Sequence, residues 1–386
     1  MIMSRKRILF VWLLLFAFVV LVCMYLPYYA TTSKAQNSVE HPVAKFSGHN
    51  HGQINRIVLA SNTPSKPQPP TNKETPKVHL KNPTTISTTT VAAPTQPMFC
   101  KPYLLVGPVY YNKSVPRMQE VIEQLSVDFG GFVKKGGAFK PRGCIAKNKL
   151  AIIVPYRNRS EHLRIFLRHM HPIMQRQMHD YRIIVVEQAG NYSFNRATLI
   201  NIGFLEALKI SNFRCFVFHD VDHILENDRN DYGCPESPKL LGVSVDRFNR
   251  RWPYKRYFGG VGAFTREHFE KMNGYSNLYW GWGAEDDDAY QRIRAAGYSL
   301  TRPRSDVGRY IMLKEHHFRD KPGGNRYILL KTAAKRMYTD GLNTVQYKVL
   351  KKTEYPLYTH ILAKLNEELD VTPNVTHLLS TMETPI

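Results

Sequence analysis

Four short apolar runs in the middle of the chain alternate with two amphipathic patterns. The runs are rich in branched side chains, and they cover residues 150–154, 182–186, 215–218 and 240–245. Such runs are typical of strands that are covered on both faces. Apolar residues three and four positions apart predict one helix that opens at Ser160 as its N-cap and a second over 195–209. This alternation predicts an α/β fold with a largely parallel sheet, right-handed crossovers and ligands beyond the carboxyl ends of the strands.

The longest apolar run lies at the N-terminus. Residues 8–26 are apolar over 19 positions, close to the length with which a helix crosses about 30 Å of hydrocarbon. Basic residues at 5–7 precede the run, and the next positive charge after it is Lys34. This asymmetry predicts a cytosolic tail over 1–7 and a signal-anchor over 8–26 in the type II orientation. A cleaved signal peptide is the alternative, although its apolar region is normally shorter, at roughly 7–15 residues.

Residues 27–98 differ in composition from the rest of the chain. They are rich in Ser, Thr, Pro, Asn and Lys and contain the sequence PSKPQPP. Such a stretch buries too little apolar surface to fold, so it predicts a disordered stem with sites for O-glycosylation. We expect a lumenal catalytic domain over 99–370 and a C-terminal tail over 371–386. Anchor, stem and body are the layout of Golgi enzymes and also of many membrane receptors.

Charge and length restrict the class of protein. With 386 residues, 43% of them hydrophobic, the chain can build one large core or two domains, which excludes a peptide hormone or a small disulfide scaffold. The formal net charge of +22 indicates anionic partners such as phosphates, acidic glycans, a membrane surface or nucleic acid. A secretory location excludes nucleic acid from that list.

The cysteines predict disulfides rather than a metal site. The chain has 5 of them and no CxxC spacing, so a metal would need His and carboxylate ligands. Four are expected in the lumen, and their sequence neighbourhoods favour one of three possible connectivities. The predicted pairs are Cys100 with Cys144 and Cys215 with Cys234.

Four Asn residues begin N-x-S/T sequons. Three of them are predicted N-glycosylation sites: Asn112, Asn191 and Asn374. Asn158 lies within a motif at a strand end, and we expect it to be buried and unmodified.

Polar motifs follow two of the predicted strands. PYRNR (155–159) places Arg157 and Arg159 just before a helix N-terminus, which suits phosphates or the edge of a pyrimidine. FHDVDH (218–223) contains Asp220 and Asp222, whose carboxylates could hold a divalent cation beside a diphosphate. Arginines after a strand and DxD sequences in loops also occur without function.

The densest motif is YWGWGAEDDD (279–288). Trp280 and Trp282 could stack on sugar rings, and a carboxylate beside them could accept a proton from a hydroxyl. Four consecutive acids are otherwise typical of a solvated helix start. Farther along, MLKEHHFRDK (312–321) could supply further metal ligands from His316, His317 and Met312, although a His pair is often structural.

Together these motifs resemble the β-1,4-galactosyltransferase family. They occur in the family's order: PYRNR, FNRA (194–197), DVD (220–222), YFGGVGAF (257–264), WGWGAEDDD and GLNTVQY (341–347). The resemblance extends over about 100–361. It implies a GT-A type α/β/α sandwich with a mostly parallel, mixed sheet, a type II Golgi protein, and Mn²⁺-dependent transfer from a UDP-sugar with inversion to a β1,4 bond. The family's two disulfides coincide with the pairs predicted above.

The resemblance also implies roles for individual residues. The implied donor-binding residues are Pro155, Arg157, Arg159, Phe194, Arg196, Asp220, Val221, Tyr257 and Trp282. The implied acceptor-binding residues are Tyr254, Gly260, Trp282, Asp286, Asp287, Arg326 and Tyr327. Asp286 would be the base that deprotonates the acceptor hydroxyl, with Glu285 and Asp287 orienting the sugars. Asp222 would be a direct Mn²⁺ ligand.

The sequence departs from the family at the other metal ligands. The family carries Met-x-x-His, whereas the residue three after Met312 is Glu315. Two residues are inserted here, and the HFRDK context places His317 at the ligand position. His316 is the alternative, and Met312 is a further candidate.

Tyr257 bears on the donor. In the family, a Tyr before FGG accompanies UDP-galactose, because its hydroxyl crowds the place of an N-acetyl group. We therefore predict galactose transfer to the 4-hydroxyl of terminal GlcNAc on glycoproteins or glycolipids, and GLNTVQYKV and PLYTHI (356–361) favour that acceptor by resemblance. The alternatives are UDP-GalNAc as donor, xylose on a proteoglycan as acceptor, a metal-dependent hydrolase, and a non-catalytic membrane-anchored glycan-binding protein. The last would not need Asp286 together with DVD and the arginine pair.

Overall fold

The structure is a computed structural model that describes residues 98–126, 132–314 and 326–366. The described residues all belong to one unit of the chain, which lies within Thr88–Ile386. The predicted tail, anchor and most of the stem, the C-terminal tail, Asn374 and the pair His316 and His317 lie outside the described residues. Within the described ranges, no helix has the length and apolar character needed to cross a membrane.

Strands and helices alternate along the first half of the described chain. The strands are β1 (Ala138–Phe139), β2 (Lys149–Tyr156), β3 (Asp180–Gln188), β4 (Cys215–His219), β5 (His223–Leu225), β6 (Lys239–Leu240), β7 (Ser244–Val245), β8 (Val261–Thr265), β9 (Arg309–Met312), β10 (Tyr347–Glu354) and β11 (Thr359–Leu365). The helices are α1 (Met118–Gln124), α2 (Ser160–Arg176), α3 (Arg196–Ile210), α4 (Arg266–Lys271), α5 (Glu285–Ala295) and α6 (Arg326–Arg336), with a short 3-10 turn over Asp246–Phe248.

An eight-stranded mixed sheet forms the centre of this unit. Its order is β10-β11-β3-β2-β4-β8-β6, and β1 pairs with β3 beside this path. The four inner strands β11, β3, β2 and β4 are parallel, whereas β1, β6, β8 and β10 pair antiparallel. The α/β fold with a mixed sheet is thereby confirmed. A second sheet has three strands in the order β5-β9-β7.

Helices cover both faces of the large sheet. Successive side chains of a strand point to opposite faces, so each face presents apolar residues that a helix can bury. In β2, Ile152 and Val154 pack in the same cluster as the apolar side of α2, and Ala151 and Ile153 pack with α3. All four are fully buried. Burying a branched apolar side chain contributes about 1.5–3 kcal/mol. Together these layers form the predicted α/β/α sandwich.

The close approach of α3 to the sheet depends on Gly203. A Cβ added there would lie 2.3 Å from Cγ2 of Ile153 on β2. Because α3 can sit this close, its first residue, Arg196, is held near the carboxyl ends of β2 and β4. The motifs that follow these two paired strands, PYRNR and DVD, meet at the same edge of the sheet.

Three local expectations were wrong. The run over 240–245 is not one strand, because the chain leaves the large sheet after Leu240 and joins the small sheet at Ser244. Ser160 is the first residue of α2 rather than its N-cap; the N-cap is Arg159, which has non-helical dihedrals. Asn158 is exposed rather than buried, because it occupies a left-handed turn with φ of 51° between β2 and α2.

The covalent links agree with the sequence. The structure contains the disulfides Cys100–Cys144 and Cys215–Cys234, which confirms both predicted pairs. Among the predicted glycosylation sites within the described ranges, Asn112 and Asn191 are exposed. Their modification stays a prediction, as do the domain boundaries at 98 and 370.

Candidate active site

A cavity of about 540 Å³ opens at the carboxyl ends of β2 and β4. It gathers every described residue of the predicted donor, acceptor, catalytic and metal sets: Pro155, Arg157, Arg159, Phe194, Arg196, Asp220, Val221, Asp222, Tyr254, Tyr257, Gly260, Trp282, Glu285, Asp286, Asp287, Met312, Arg326 and Tyr327. Their individual roles stay predictions. His223, Arg247 and Phe248 also line the cavity and were missed by the sequence analysis.

One wall of the cavity is cationic. Arg159 donates from Nη1 to Oδ2 of Asp222 at 2.9 Å. Arg157 lies over the ring of Phe194, with Cζ 5.2 Å from the ring centroid. The two side chains follow β2 directly, so the strand sets their direction. Guanidinium groups presented in this way match the geometry of phosphate oxygens.

Arg196 connects the two acidic motifs. Its Nε donates to Oδ1 of Asp220 at 2.6 Å, and its Nη1 donates to Oδ1 of Asp286 at 3.0 Å. The same Nη1 lies 3.7 Å from Oε1 of Glu285. Asn195 positions this residue, since its side chain caps α3 by accepting from the backbone N–H of Thr198 at 2.9 Å. The start of α3 therefore holds the Arg196 guanidinium between the carboxylate of Asp220 and those at the start of α5.

Two carboxyl groups at the start of α5 have perturbed proton affinity. Burial, and next the charge of Asp286, raise the pKa of Glu285 to about 8. Burial also raises the pKa of Asp286, to about 6, although the charge of Arg196 opposes that shift. Because Asp286 has the stronger contact with Arg196, the negative charge of this pair resides on Asp286 and the proton on Glu285. An ionised carboxylate of raised pKa is suited to act as a general base near neutral pH.

Aromatic hydroxyls surround these acids. Tyr254 hydrogen-bonds to Asp287, and burial followed by the charge of Asp287 raises the pKa of Tyr254. Burial, then the charge of Asp286, raises the pKa of Tyr257 as well, so both phenols stay protonated at neutral pH. A Cβ added at Gly259 would lie 2.6 Å from Oδ2 of Asp286 and 2.7 Å from the Tyr257 hydroxyl. The Asp286 carboxylate and the Tyr257 hydroxyl therefore both lie close to Gly259.

The fourth acid of the motif has a structural role. Asp288 is fully buried and accepts from Arg292 and from Arg336, the latter at 2.6 Å. Both arginines also contact Asp340, so this buried network ties α5 to α6 and to the turn after it. The acids of EDDD are consequently not a solvated helix start, which was the ordinary alternative.

The two tryptophans of the motif differ. Trp280 is 4% exposed and belongs to the core on the α3 face of the sheet, so the expectation that it stacks on sugars was wrong. Trp282 is 54% exposed at the cavity and lies on a loop that is tied to Phe194 by the bond from Gly281 N–H to its carbonyl, at 3.0 Å. Gly281 between them has φ of 78°, so the chain is not extended here and the two side chains do not share one face.

The cavity also contains candidate metal ligands. Ligand atoms of Asp220, Asp222 and His223 lie within 4.8 Å of one another. Met312 lines the same cavity and pairs with His223 across β5 and β9. Burial alone would raise the pKa of Asp222, but the hydrogen bond from His223 and the charges of His223 and Arg159 outweigh it and hold the pKa well below its ordinary value. A buried, ionised carboxylate beside a second carboxylate supplies the oxygen ligands that suit Mn²⁺.

This arrangement can support transfer of a group from a diphosphate to a hydroxyl, with the diphosphate as the leaving group. Arginines and candidate metal ligands occupy one side, where they can neutralise a diphosphate. Asp286 and aromatic side chains occupy the other, where they can bind a hydroxylated acceptor and accept its proton.

His223 belongs to the FHDVDH motif, and that position was the sequence feature that could have identified it as a site residue. Its place next to Asp222 in the sequence did not indicate the direction of its ring.

Two families of known proteins match the body of the chain. Residues 100–235 match the N-terminal region of glycosyl transferase group 7. Residues 239–317 match the N-terminal domain of galactosyltransferase. The two matches together contain β2 to β9 and most of the cavity.

Curated relatives match over the same body. Beta-1,4-galactosyltransferase 1 of Bos taurus is 45% identical over 261 residues, which are 67% of this chain and 63% of that protein. Beta-1,4-galactosyltransferase 5 of Danio rerio is 43% identical over 263 residues, 68% of this chain and 68% of that protein. The chain thus spans about two thirds of the length of these relatives.

Solved structures share the fold. The catalytic domain of Drosophila beta1,4galactosyltransferase 7 in complex with xylobiose has a TM-score of 0.52 and 34% identity, covering 58% of this chain and 98% of that one. A mutant of the same Drosophila protein in complex with manganese, UDP-Gal and xylobiose gives the same values. The likeness confirms the predicted GT-A type of sandwich.

Proposed function

Because the chain belongs to the β-1,4-galactosyltransferase family, we propose that it is a Mn²⁺-dependent galactosyltransferase. Its donor is UDP-galactose, its acceptor is the 4-hydroxyl of a terminal GlcNAc on a glycoprotein or glycolipid, and its product has a β1,4 bond. The observation that carries this proposal is the position of Asp286, held by Arg196 in the same cavity as the arginines and the candidate metal ligands. The protein acts in the Golgi membrane as a single-pass type II protein with its catalytic domain in the lumen.

The reaction is an in-line displacement at the anomeric carbon of galactose. Asp286 takes the proton from the acceptor 4-hydroxyl as that oxygen forms a bond to the anomeric carbon. The bond from this carbon to the β-phosphate oxygen breaks on the opposite face, and UDP leaves with the electron pair. Attack from the opposite face inverts the configuration, so no covalent enzyme intermediate is required.

Residues of the cationic wall hold the donor. Arg157 and Arg159 contact the diphosphate or uridine in this proposal, which their position at the cavity supports, and Phe194 offers a flat face beside Arg157. Asp222, with Met312 and a histidine of the 316–317 pair, would hold the metal. The chemistry that Mn²⁺ supplies when bound is Lewis-acid stabilisation of the charge that develops on the leaving diphosphate.

Tyr257 supports galactose as the transferred sugar. Its ring is packed by Phe248 and Tyr254, at centroid distances of 5.6 and 5.7 Å, so its hydroxyl is held beside Asp286 at the cavity. An N-acetyl group on the donor would need room that this side chain fills. UDP-GalNAc is the alternative donor, and xylose is the alternative acceptor because the Drosophila protein is bound to xylobiose.

UDP release by the full-length chain tests the proposal. UDP-galactose and UDP-GalNAc are each offered with GlcNAc or a β-xyloside, with Mn²⁺ or with EDTA, and the product linkage is determined by NMR. We expect Mn²⁺-dependent turnover of UDP-galactose with GlcNAc and loss of at least about a hundredfold in rate in Asp286→Asn. Asp306→Asn is the matched control, because it changes an exposed carboxylate outside the cavity.

The outcomes separate the alternatives. A β1,4-linked product formed on xyloside but not on GlcNAc would replace the acceptor and keep the reaction. Sugar binding without turnover for any donor would favour the glycan-binding protein, and release of free galactose without acceptor would favour a hydrolase. For the donor, Tyr257→Leu is expected to raise the use of UDP-GalNAc relative to UDP-galactose, while the exposed Tyr338→Leu leaves the ratio unchanged.

A further inference from the structure

His223 has a fixed place directly after the DVD motif. It begins β5, and its backbone N–H donates to the carbonyl of Asp220 at 3.1 Å across a tight turn. The carbonyl of Asp222 in turn accepts from Leu313 N–H at 2.8 Å, which joins the turn to the end of β9. The ring of His223 is 2% exposed. Its position next to the carboxylates is therefore set by backbone contacts and not by a mobile loop.

The ring contacts the carboxylate of Asp222. Nδ1 of His223 lies 2.9 Å from Oδ1 of Asp222, while Oδ2 accepts from Arg159 at 2.9 Å. An ionised carboxylate can only accept hydrogen bonds, so the proton is on Nδ1. Each oxygen retains a second lone pair that can face a cation. The carboxylate is thus held from both oxygens in one orientation and remains able to bind metal.

Packing fixes the orientation of the ring. Tyr310 lies against it at a centroid distance of 6.3 Å, and the Tyr310 hydroxyl is itself bonded to the Tyr232 hydroxyl at 2.7 Å. On the other side, a Cβ added at Gly260 would lie 2.6 Å from Nε2, so the ring fits only because this position is glycine. The Nδ1 donor is consequently aimed at Asp222 before any metal binds.

The same contacts argue against direct ligation by His223. With the proton on Nδ1, Nε2 is the one ring nitrogen that could offer a lone pair to a metal. Among the described residues, Nε2 has no hydrogen-bond partner, and it is closed off from solvent against Gly260. The nitrogen that could bind a metal therefore faces the backbone, and the nitrogen that faces Asp222 already carries a proton.

We propose that His223 is the positioning residue for the metal: its Nδ1–H fixes the carboxylate of Asp222 so that this ligand is preorganised for Mn²⁺. This inference deepens the proposed function and rests on its Mn²⁺ dependence. Partners that orient a metal ligand typically change metal affinity by about ten- to a hundredfold when they are lost. We expect that range for removal of the His223 donor.

The test compares side chains that keep or remove the donor. Asn places its amide nitrogen near the position of Nδ1, Leu has a similar branched shape without a donor, and Gln places its amide one bond farther out. Binding of Mn²⁺ alone to the full-length chain is measured from the electron paramagnetic resonance signal of the free ion. Thermal unfolding in EDTA monitors the metal-free fold of each variant.

We expect His223→Asn to stay within about threefold of the unchanged protein, and His223→Leu and His223→Gln to lose about ten- to a hundredfold in affinity. Equal weakening in all three variants would overturn the proposal in favour of direct ligation or a merely structural role, and so would unchanged binding in His223→Leu. If His223→Leu does not fold, the relative Mn²⁺ affinities of His223→Asn and His223→Gln decide. Tighter binding by His223→Gln would contradict positioning through Nδ1.

Failure of the His223 proposal can be distinguished from failure of the proposed function. If the unchanged protein binds Mn²⁺ but transfers no galactose, the proposed reaction fails while the ordering of the His223 variants still tests positioning. If the unchanged protein does not bind Mn²⁺ at all, both the metal dependence and the role of His223 are wrong.

Discussion

The substitution Gly259→Ala tests whether the position of Asp286 controls the rate. The added Cβ would lie 2.6 Å from Oδ2 of Asp286, and an ordinary contact needs at least 3.4 Å, so the carboxylate must retreat by about 0.8 Å. Its bond to Arg196, now 3.0 Å, would be disturbed as well. Misplacement of a reacting group by about 1 Å can cost a hundredfold in rate.

We therefore expect kcat for galactose transfer to fall by between about tenfold and a hundredfold. The atoms that clash are the ends of the Asp286 and Tyr257 side chains, which can move, so the thermal unfolding midpoint should change little. The assay is UDP release under saturating donor and acceptor, beside a thermal unfolding curve. Gly242→Ala is the matched control, because its added Cβ would meet Tyr310 at an ordinary 3.6 Å.

Two results would refute this reasoning. A kcat within about twofold of the unchanged protein would mean that Asp286 is not the base or that its position is not critical. A rate loss accompanied by an equal loss in the control would mean that any added methyl group in this region disturbs the protein.

Three further predictions concern the same helix and its support. Burial raises the pKa of Asp286 to about 6, and the base must be ionised, so kcat should fall as pH decreases through about 6; a flat profile down to pH 4.5 contradicts this. Ala284 has φ of 76°, so Ala284→Gly should raise the free energy of unfolding by about 1 kcal/mol, and an unchanged denaturant midpoint would speak against strain there. Arg336→Met leaves the two buried carboxylates of Asp288 and Asp340 with Arg292 as their remaining arginine partner among the described residues, so one buried charge is uncompensated. The change should cost about 3–5 kcal/mol in denaturant unfolding, whereas the exposed Arg304→Met should cost less than about 0.5 kcal/mol.

Local signals in the sequence were enough for the general architecture. The apolar runs around Ile152, Ile183 and Val217 predicted three adjacent strands, because a fully buried strand leaves a continuous apolar run wherever it occurs. The apolar stripe over 195–209 predicted α3. The sequence neighbourhoods of the cysteines predicted both disulfides, whose partners are 44 and 19 residues apart.

The same local signals failed where two elements compete for one segment. The sequence of residues 240–245 predicts one strand, yet Leu240 and Ser244 belong to different sheets, and their partners, 22 and 65 residues farther along the chain, decide that split. The sequence alone does not distinguish Trp280 from Trp282 as the residue that could stack on a sugar. Only the packing of the core against α3 buries Trp280 and leaves Trp282 at the cavity.

By itself, the sequence determined the alternation of elements, the disulfide pairs and the residue types that the cavity contains, because each is encoded within a few residues or in a motif. The tertiary structure alone decided which charges face one another: Arg196 reaches Asp286 across 90 residues, and Arg336 reaches Asp288 across 48. It also decided that His223 turns its Nδ1 toward Asp222, since Tyr310 and Gly260 fix its ring. Hydrogen bonds and ion pairs depend on distances of a few ångströms between side chains, and only the packed sheet and helices set those distances.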